Sequence, residues 1–317
     1  MKCLYCDKPI IDSATEQEKT QCWHTKCVKK FFGTTKFPII DISDENLIEI
    51  ASESTNKGFT VPGVQKKLSL HFEDGTKPRL TLSNYPTGYI LKPQTEDYEA
   101  MPEAEFLVMN MAKITGIRTV PFALVNLDSG YAYITKRIDR SDGKLLAMED
   151  FCQLEERLTQ DKYKGSYERC AKLIGRYSER RGFDLSEMFL RLVFSFVTGN
   201  SDMHLKNFSL IEDAAGSQRY VLSEAYDLLP VNAILPEDSE QVALTMNGKK
   251  RNIRRKDFFV FAENAGIPAV AAEKIISDVL LLEDTYISMC KDSYLPDKLK
   301  MTLIDLIIAR TSVLRIN

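Results

Sequence analysis

A nine-residue polar segment, Gly199 to Asn207, constrains the fold of this chain more than any other part of the sequence. The residues before it, 185–197, have the apolar spacing of a long helix, and those after it, 207–226, predict a β-hairpin. Asp202 and Asn207 stand in this segment with four residues between them. A loop of this length between a helix and a strand can bring both side chains to one cavity.

The order of the predicted elements indicates an α+β fold. The first half of the chain has mainly the alternation of strands, and the second half has mainly helical spacing. Strands are predicted within 57–93, including one at 88–93, and at 121–126 and 131–136. Helices are predicted at 43–52, 99–115, 148–158, 167–181, 185–197, 256–265, 270–282 and 296–314. We therefore expect a small Cys-rich head at 1–37, a sheet-rich lobe at 38–140 and a larger helical lobe at 141–317.

Composition excludes several classes of protein. The chain has 317 residues, enough for a large core, and a formal net charge of −3, which gives no global argument for nucleic-acid binding. The first residues contain no apolar signal segment. The longest apolar run, 189–197, is interrupted by Arg191 and Ser195 and is too short to cross a bilayer. We expect a cytoplasmic protein that binds neither a membrane nor nucleic acid directly.

The polar residues around the central segment match the requirements of phosphoryl transfer. Protein kinases place a catalytic aspartate and a metal-binding asparagine at the separation of Asp202 and Asn207. The aspartate accepts the proton of the substrate hydroxyl, and the asparagine oxygen holds Mg²⁺. Lys206 can stabilise the charge on the transferring phosphate. Asp227, at the end of the predicted hairpin, fits a second Mg²⁺ ligand.

A lysine and a glutamate in the first half complete this set. Lys92 lies in a predicted strand and Glu105 in the helix that follows, the arrangement with which kinases clamp the α- and β-phosphates of ATP. Each residue alone has an ordinary structural explanation, as a turn cap or a surface charge. Their order along the chain, each in the required element, favours a kinase site.

Several motifs resemble the HipA family of bacterial kinase toxins. The D-x-H-x-K-N loop and the Y-D pair of that family are matched by Asp202, His204, Lys206 and Asn207 and by Tyr226 and Asp227. Its signature before the catalytic helices resembles Lys136-Arg137-Ile138-Asp139-Arg140 with Glu149-Asp150-Phe151-Cys152-Gln153, and its G-x-Q-x-K loop resembles residues 63–67. These matches run in order from about residue 58 to about residue 260.

The resemblance implies a two-lobed protein-kinase-like fold that binds ATP and Mg²⁺. It makes Asp202 the catalytic base and assigns Asn207 and Asp227 to Mg²⁺. It makes 135–138 the hinge that holds adenine by its backbone, where the usual acidic-aromatic pair of the family is replaced by Lys136 and Ile138. We expect His204 to order the loop in preference to binding a metal. The residues expected at the nucleotide are Gly63, Val64, Gln65, Lys67, Lys92, Glu105, Thr135, Lys136, Arg137, Ile138 and His204.

The resemblance also implies regulation and partners. In HipA-like kinases a serine at the start of the phosphate loop is autophosphorylated, and Thr60 is the matching hydroxyl here, with Ser54 and Thr55 as alternatives. A protein substrate, such as an aminoacyl-tRNA synthetase, and a small antitoxin with a DNA-binding domain are implied. Because family members usually begin with a longer β-rich extension, a separate subunit is expected to supply that part. The alternatives are a small-molecule or lipid kinase and a non-catalytic regulatory subunit.

The predicted head holds four of the seven cysteines. Cys3 and Cys6, followed by His24 and Cys27, have the spacing of one Zn²⁺ half-site of a LIM-type finger. Cys22 competes with His24 as the fourth ligand, so the set is either Cys₄ or Cys₃His. A head of this size cannot bury much core alone, which gives a structural Zn²⁺ a physical reason.

Overall fold

The computed structural model describes residues 1–41, 67–82, 88–141 and 144–315. The helix predicted at 43–52, the predicted phosphate-loop residues Gly63, Val64 and Gln65, and the predicted acceptor Thr60 lie outside these residues. The chain divides into two compact units, Met1–Phe106 with Val120–Arg137 and Leu107–Thr119 with Ile138–Asn317. The Cys-rich head thus belongs to the same unit as the sheet-forming segments.

A six-stranded sheet organises the first unit. Its strands are β1 (Ile39–Asp41), β2 (Leu68–Glu73), β3 (Arg79–Leu82), β4 (Tyr89–Pro93), β5 (Phe122–Leu127) and β6 (Gly130–Lys136). They lie in the order β1-β3-β2-β4-β6-β5, and all neighbours are antiparallel except β1 and β3. In β2, Leu68 and Leu70 are buried and Ser69 is exposed, as the alternation predicts. The predicted strands at 88–93, 121–126 and 131–136 are confirmed.

One long helix, α3 (Met101–Ile114), follows β4, as predicted from its apolar spacing. In the first unit Phe106 packs edge-on against Phe122 of β5, with 5.8 Å between ring centroids. Gly116 ends the helix with a φ of 90°, a left-handed conformation that glycine adopts without strain.

The head is built on the edge of the sheet. It contains two short helices, α1 (Glu16–Gln21) and α2 (Thr25–Phe32). In the edge strand β5, Leu124 donates its N–H to the carbonyl of Leu4 at 2.9 Å and accepts a bond from Trp23 Nε1 at 3.1 Å. The head therefore covers backbone groups that an edge strand otherwise exposes.

The second unit is mostly helical. Its helices are α4 (Phe151–Leu154), α5 (Tyr167–Tyr177), α6 (Arg181–Thr198), α7 (Val231–Ile234), α8 (Arg255–Asn264), α9 (Ala269–Leu281), α10 (Glu283–Lys291) and α11 (Asp297–Arg315). Helix α6 is buried over most of its length and packs against α5, α9 and α11. The helices predicted at 167–181, 185–197, 256–265, 270–282 and 296–314 are confirmed, with shifted ends.

The predicted hairpin after α6 is confirmed as part of a larger sheet. Strands β10 (Ser209–Glu212) and β11 (Tyr220–Leu222) are antiparallel, and β9 (Met148–Asp150) adds a third antiparallel strand beside β10. A separate short pair joins β7 (Arg140–Ser141) and β8 (Lys144–Leu145).

The helix predicted at 148–158 is wrong. Residues 148–150 form β9, because they pair with β10, and the helix α4 covers only the next four residues. Asp150 caps it: its side chain accepts the N–H of Gln153, and its own N–H donates to the Gln153 side chain. Glu156, with a φ of 56°, lies in the left-handed region and prevents the helix from continuing.

Helices α7 and α10 were not predicted, because each lacks a clear apolar stripe. Helix α10 buries only Tyr286 and Cys290, and a single residue, Leu282, separates it from α9. Within the described residues, no helix combines the length and the apolar character that crossing a membrane requires.

Candidate active site

The predicted catalytic loop begins where α6 ends. Gly199 follows the helix with a φ of 71°, and a Cβ at this position would lie 2.3 Å from Leu306 Cδ2. A side chain there is therefore both strained and obstructed. The next residue, Asn200, is buried, and its Oδ1 accepts the N–H of Asp202 at 3.2 Å. Gly199 and Asn200 thus both constrain the backbone that leads to Asp202.

Asp202 presents a carboxylate that is both exposed and oriented. Its side chain is 43% exposed, and its Oδ2 lies 3.9 Å from Nε2 of the buried His204. Its Oδ1 accepts a hydrogen bond of 2.5 Å from Tyr163 Oη. Burial, and then the charge of Asp202, raise the pKa of Tyr163, so the phenol remains a donor. An exposed, oriented carboxylate can accept the proton of a hydroxyl group.

Asn207 lies at the other end of the loop and is buried. Its Nδ2 donates to the backbone carbonyl of Asp202 at 3.0 Å. This bond uses one N–H of the side-chain amide and turns the amide oxygen, the atom that Mg²⁺ binds, away from that carbonyl. The Asp-x₄-Asn spacing therefore produces a direct contact between the two residues.

Asp227 returns to the same loop at the end of the hairpin. Its neighbour Tyr226 donates from Oη to the carbonyl of Lys206 at 3.1 Å and lies 2.6 Å from Ser209 Oγ. Asp227 has a φ of 57°, in the left-handed region that aspartate tolerates better than most residues. Two oxygen-bearing residues, Asn207 and Asp227, thus flank these contacts, and oxygen ligands of this kind suit Mg²⁺.

Lys206 has a partner that the sequence did not indicate. Its Nζ lies 2.6 Å from Oδ2 of Asp150, the residue that caps α4, and its side chain is 34% exposed. To contact a transferring phosphate as predicted, the Lys206 ammonium group would therefore have to leave the Asp150 carboxylate or bind both groups at once.

In the first unit, Lys92 and Glu105 form the predicted pair. Lys92 Nζ lies 2.6 and 2.8 Å from the two carboxylate oxygens of Glu105, and both side chains are buried. The ammonium group also lies 5.2 Å from the centroid of the Tyr133 ring. A strand lysine held by a helix carboxylate is the kinase arrangement for binding ATP phosphates.

The positions of the predicted hinge and of Lys67 say less about nucleotide binding. In the hinge, the amide of Lys136 donates to the carbonyl of Pro121 and that of Arg137 to the carbonyl of Gly88, both at 2.9 Å. Adenine contacts in 135–138 would therefore need other backbone groups. Burial lowers the pKa of Lys136. Lys67 is exposed and directly precedes β2.

Three cysteines and His24 meet in the head. The ligand atoms of Cys3, Cys6, His24 and Cys27 all lie within 4.8 Å of one another. His24 Nδ1 is 3.4 Å from Cys6 Sγ and 3.9 Å from Cys27 Sγ. Tetrahedral Zn²⁺ with bonds of about 2.0 to 2.3 Å separates its ligand atoms by about 3.5 to 3.8 Å. The donor set and its spacing thus fit Zn²⁺.

The surroundings of His24 agree with that fit. Its Nε2 lies 3.1 Å from the carbonyl of Pro9, a hydrogen bond that leaves Nδ1 as the coordinating nitrogen. Cys22 stands apart from the cluster, and its thiol contacts the carbonyl of Lys19 at 3.6 Å. Of the two alternatives for the fourth ligand, the geometry therefore favours His24.

Comparison with known proteins places the chain in a family. The HipA-like C-terminal domain matches residues 59–284. The chain belongs to this family. The HipA-like chain is 32% identical over 236 residues to Y4dM of Sinorhizobium fredii, whose name gives it provisionally as a kinase. The match covers 69% of this chain and 56% of Y4dM. A second relative, Y4mE, is matched over 61% of its length. The chain therefore spans little more than half the length of these relatives.

Two further comparisons concern HipA itself and the fold. The serine/threonine-protein kinase toxin HipA of Shewanella oneidensis is 26% identical over 66% of this chain and 52% of that protein. The solved complex of S. oneidensis HipA with HipB and operator DNA superposes with a TM-score of 0.67 and 19% identity, covering 87% of this chain and 74% of that one. The Helicobacter pylori kinase CtkA gives a TM-score of 0.53 with 14% identity over 74% and 90% of the two chains. The predicted α+β kinase-like fold is confirmed.

Two residues of the site, Tyr163 and Asp150, were not predicted from the sequence. Tyr163 lies 39 positions before Asp202, in a segment without a recognisable motif. Asp150 belongs to the motif Glu149-Asp150-Phe151-Cys152-Gln153, and its Asp-x-x-Gln spacing could have identified a helix cap. No signal in the sequence pairs Asp150 with Lys206, because 56 positions separate them.

Proposed function

We propose that this HipA-like chain is a serine/threonine protein kinase that transfers the γ-phosphoryl group of ATP to a protein hydroxyl. The observation that carries the proposal is the single anchored loop on which Asp202 and Asn207 touch, and to which Tyr226, the neighbour of Asp227, is hydrogen-bonded. The names of the relatives, including the HipA kinase toxin of S. oneidensis, support the same activity.

The proposed step assigns each residue a separate task. The carboxylate of Asp202 accepts the proton of the acceptor hydroxyl, whose oxygen forms a bond to the γ-phosphorus while the bond to the bridging oxygen of ADP breaks. Asn207 and Asp227 would hold Mg²⁺, which neutralises phosphate charge when bound. Lys92, oriented by Glu105, would contact the phosphates of ATP, and Lys206 would stabilise the charge on the phosphoryl group in transfer.

Toxicity, partners and location are part of the proposal. The S. oneidensis structure contains HipA together with HipB and operator DNA. By analogy we infer that this chain acts in the cytoplasm as the toxin of a toxin–antitoxin system, with a small DNA-binding antitoxin and a protein substrate such as an aminoacyl-tRNA synthetase. A separate N-terminal-domain subunit is a further partner in this proposal.

A labelling experiment tests the activity and separates it from the alternatives. The purified chain is incubated with γ-labelled ATP, Mg²⁺ and a cell extract. Label on a protein supports the proposal, label on small molecules alone indicates a metabolite or lipid kinase, and no label with intact ATP indicates a non-catalytic subunit. Autophosphorylation of Thr60 belongs to the same proposal, and phosphopeptide mass spectrometry should find the phosphate on this residue.

Replacing Lys92 with Met should weaken ATP binding and also destabilise the first unit. Removing the ammonium group leaves the carboxylate of Glu105 buried without its partner, which costs about 3–5 kcal/mol. Lys92→Met with Glu105→Gln should regain most of this stability and still bind ATP weakly. Thermal unfolding and nucleotide titration of both variants separate the two effects. Normal ATP affinity in the double variant would contradict a role of Lys92 at the phosphates.

A further inference from the structure

The segment before α5 places a tyrosine hydroxyl on the predicted catalytic base. Tyr163 Oη donates to Asp202 Oδ1 at 2.5 Å, although Tyr163 is outside the loop that carries Asp202. The motif residues Asp202, His204, Lys206 and Asn207 therefore form only part of the site, and Tyr163 joins it from another segment of the second unit.

Hydrogen bonds to the residues on both sides of Tyr163 in the chain fix its backbone. The carbonyl of its neighbour Lys162 accepts the N–H of Leu205 at 3.1 Å, which ties the segment directly to the catalytic loop. The carbonyl of its other neighbour, Lys164, accepts a bond from Arg157 Nη1 at 2.6 Å. The Tyr163 ring meets the ring of His204 edge-on, with 5.1 Å between centroids. The hydroxyl therefore reaches Asp202 with little conformational freedom to lose.

This contact determines which way the carboxylate faces. A partly exposed aspartate rotates readily about its Cβ–Cγ bond, and a base acts efficiently only when one oxygen points at the proton it accepts. The Tyr163 hydroxyl holds Oδ1, and Oδ2 faces Nε2 of His204 at 3.9 Å.

We propose that Tyr163 is a positioning residue that orients the Asp202 carboxylate for the acceptor hydroxyl. The catalytic part of this inference rests on the proposed kinase function, whereas the hydrogen bond itself does not. The opposite possibility is that the Tyr163 hydroxyl occupies the place of the acceptor and has to leave before transfer. The two possibilities predict opposite effects on the transfer rate, because loss of the hydroxyl slows transfer in the first case and accelerates it in the second.

The test compares Tyr163→Phe with Tyr177→Phe. Both tyrosines are 38% exposed, and Tyr177 lies at the end of α5. The first readout is the orientation of the Asp202 carboxylate in crystal structures of the full chain and of the two variants. Loss of the hydroxyl should turn the carboxylate out of its present orientation in Tyr163→Phe and leave that orientation unchanged in Tyr177→Phe.

Other groups near this carboxylate are the same in both variants. Among the described residues they are His204 in the same loop, Tyr167, whose hydroxyl donates to the carbonyl of Met203, and Asp238, which accepts a bond from Ser201. Because neither variant changes them, a difference between the two variant structures reports the Tyr163 hydroxyl alone.

The second readout is transfer from γ-labelled ATP to the chain itself. In Tyr163→Phe the maximal rate should fall about tenfold with the KM for ATP within twofold of the parent, and in Tyr177→Phe both should stay at the parent values. An unchanged carboxylate orientation, or a faster rate, would overturn the inference. A parent protein that transfers no phosphate contradicts the proposed kinase function, and the crystal structures then decide alone whether Tyr163 holds Asp202.

Discussion

Replacing Asp202 with Asn should lower phosphoryl transfer by about 10²–10⁴-fold, the usual contribution of a general base. The fold and ATP binding should be retained, because the contacts that hold the loop do not need the carboxylate charge. The backbone carbonyl of residue 202 still accepts the bond from Asn207, and an asparagine oxygen can still accept the hydroxyl of Tyr163. The measurement is single-turnover transfer of labelled phosphate at saturating ATP.

Asp227→Asn provides the contrasting variant for this experiment. Asparagine tolerates the left-handed conformation of residue 227 as well as aspartate does, so the backbone at φ 57° should not be strained. This change removes a charge that we assign to Mg²⁺, and it should weaken the binding of Mg²⁺ with ATP, measured by calorimetry. Transfer at the parent rate in Asp202→Asn would show that another group accepts the proton.

The sequence predicted those parts of the site that depend on short spacings within well-defined elements. Asp202 and Asn207 share one loop, so their separation alone brings them into contact. Lys92 and Glu105 are 13 positions apart, on a strand and on the next helix, and such neighbours meet when the helix packs on its sheet. Strands β2 to β6 of the first unit were predicted for a similar reason, since their apolar alternation follows from burial of the sheet faces, whereas the three-residue β1 was not predicted.

The remaining features depend on contacts over long separations. Tyr163 and Asp150 reach the loop from positions 39 and 56 residues away, and no local pattern marks either contact. The segment 148–158 has apolar residues that suit a helix, but pairing of β9 with β10 determines its first part. Local propensity is a weak indicator where a tertiary contact competes with it. The choice between Cys22 and His24 also depends on the fold, because both residues have suitable chemistry and only Trp23 separates them in the chain.

Removing one ligand, Cys27, from the cysteine cluster should have a large effect on the first unit. We expect about one Zn²⁺ per chain, and its loss in Cys27→Ser, because the cluster offers four suitable ligand atoms within 4.8 Å. Binding of a structural Zn²⁺ contributes about 10–16 kcal/mol of apparent free energy to small zinc-dependent folds. A loss on this scale should open the head, and elemental analysis together with thermal unfolding would measure both the metal and the stability.

The effect should extend beyond the head, because the head and the sheet share hydrogen bonds and aromatic contacts. Trp23 and Leu4 satisfy both backbone groups of Leu124, and Phe32 packs against Phe72 and Tyr89 of the sheet. An opened head would expose the edge strand β5, so hydrogen exchange at Leu124 should accelerate and the melting temperature should fall by roughly 10 °C or more. Cys22→Ser is the matched control, since its thiol lies outside the cluster, and it should keep the metal and the parent stability. Retention of Zn²⁺ by Cys27→Ser, or its loss from Cys22→Ser, would contradict the assigned ligand set.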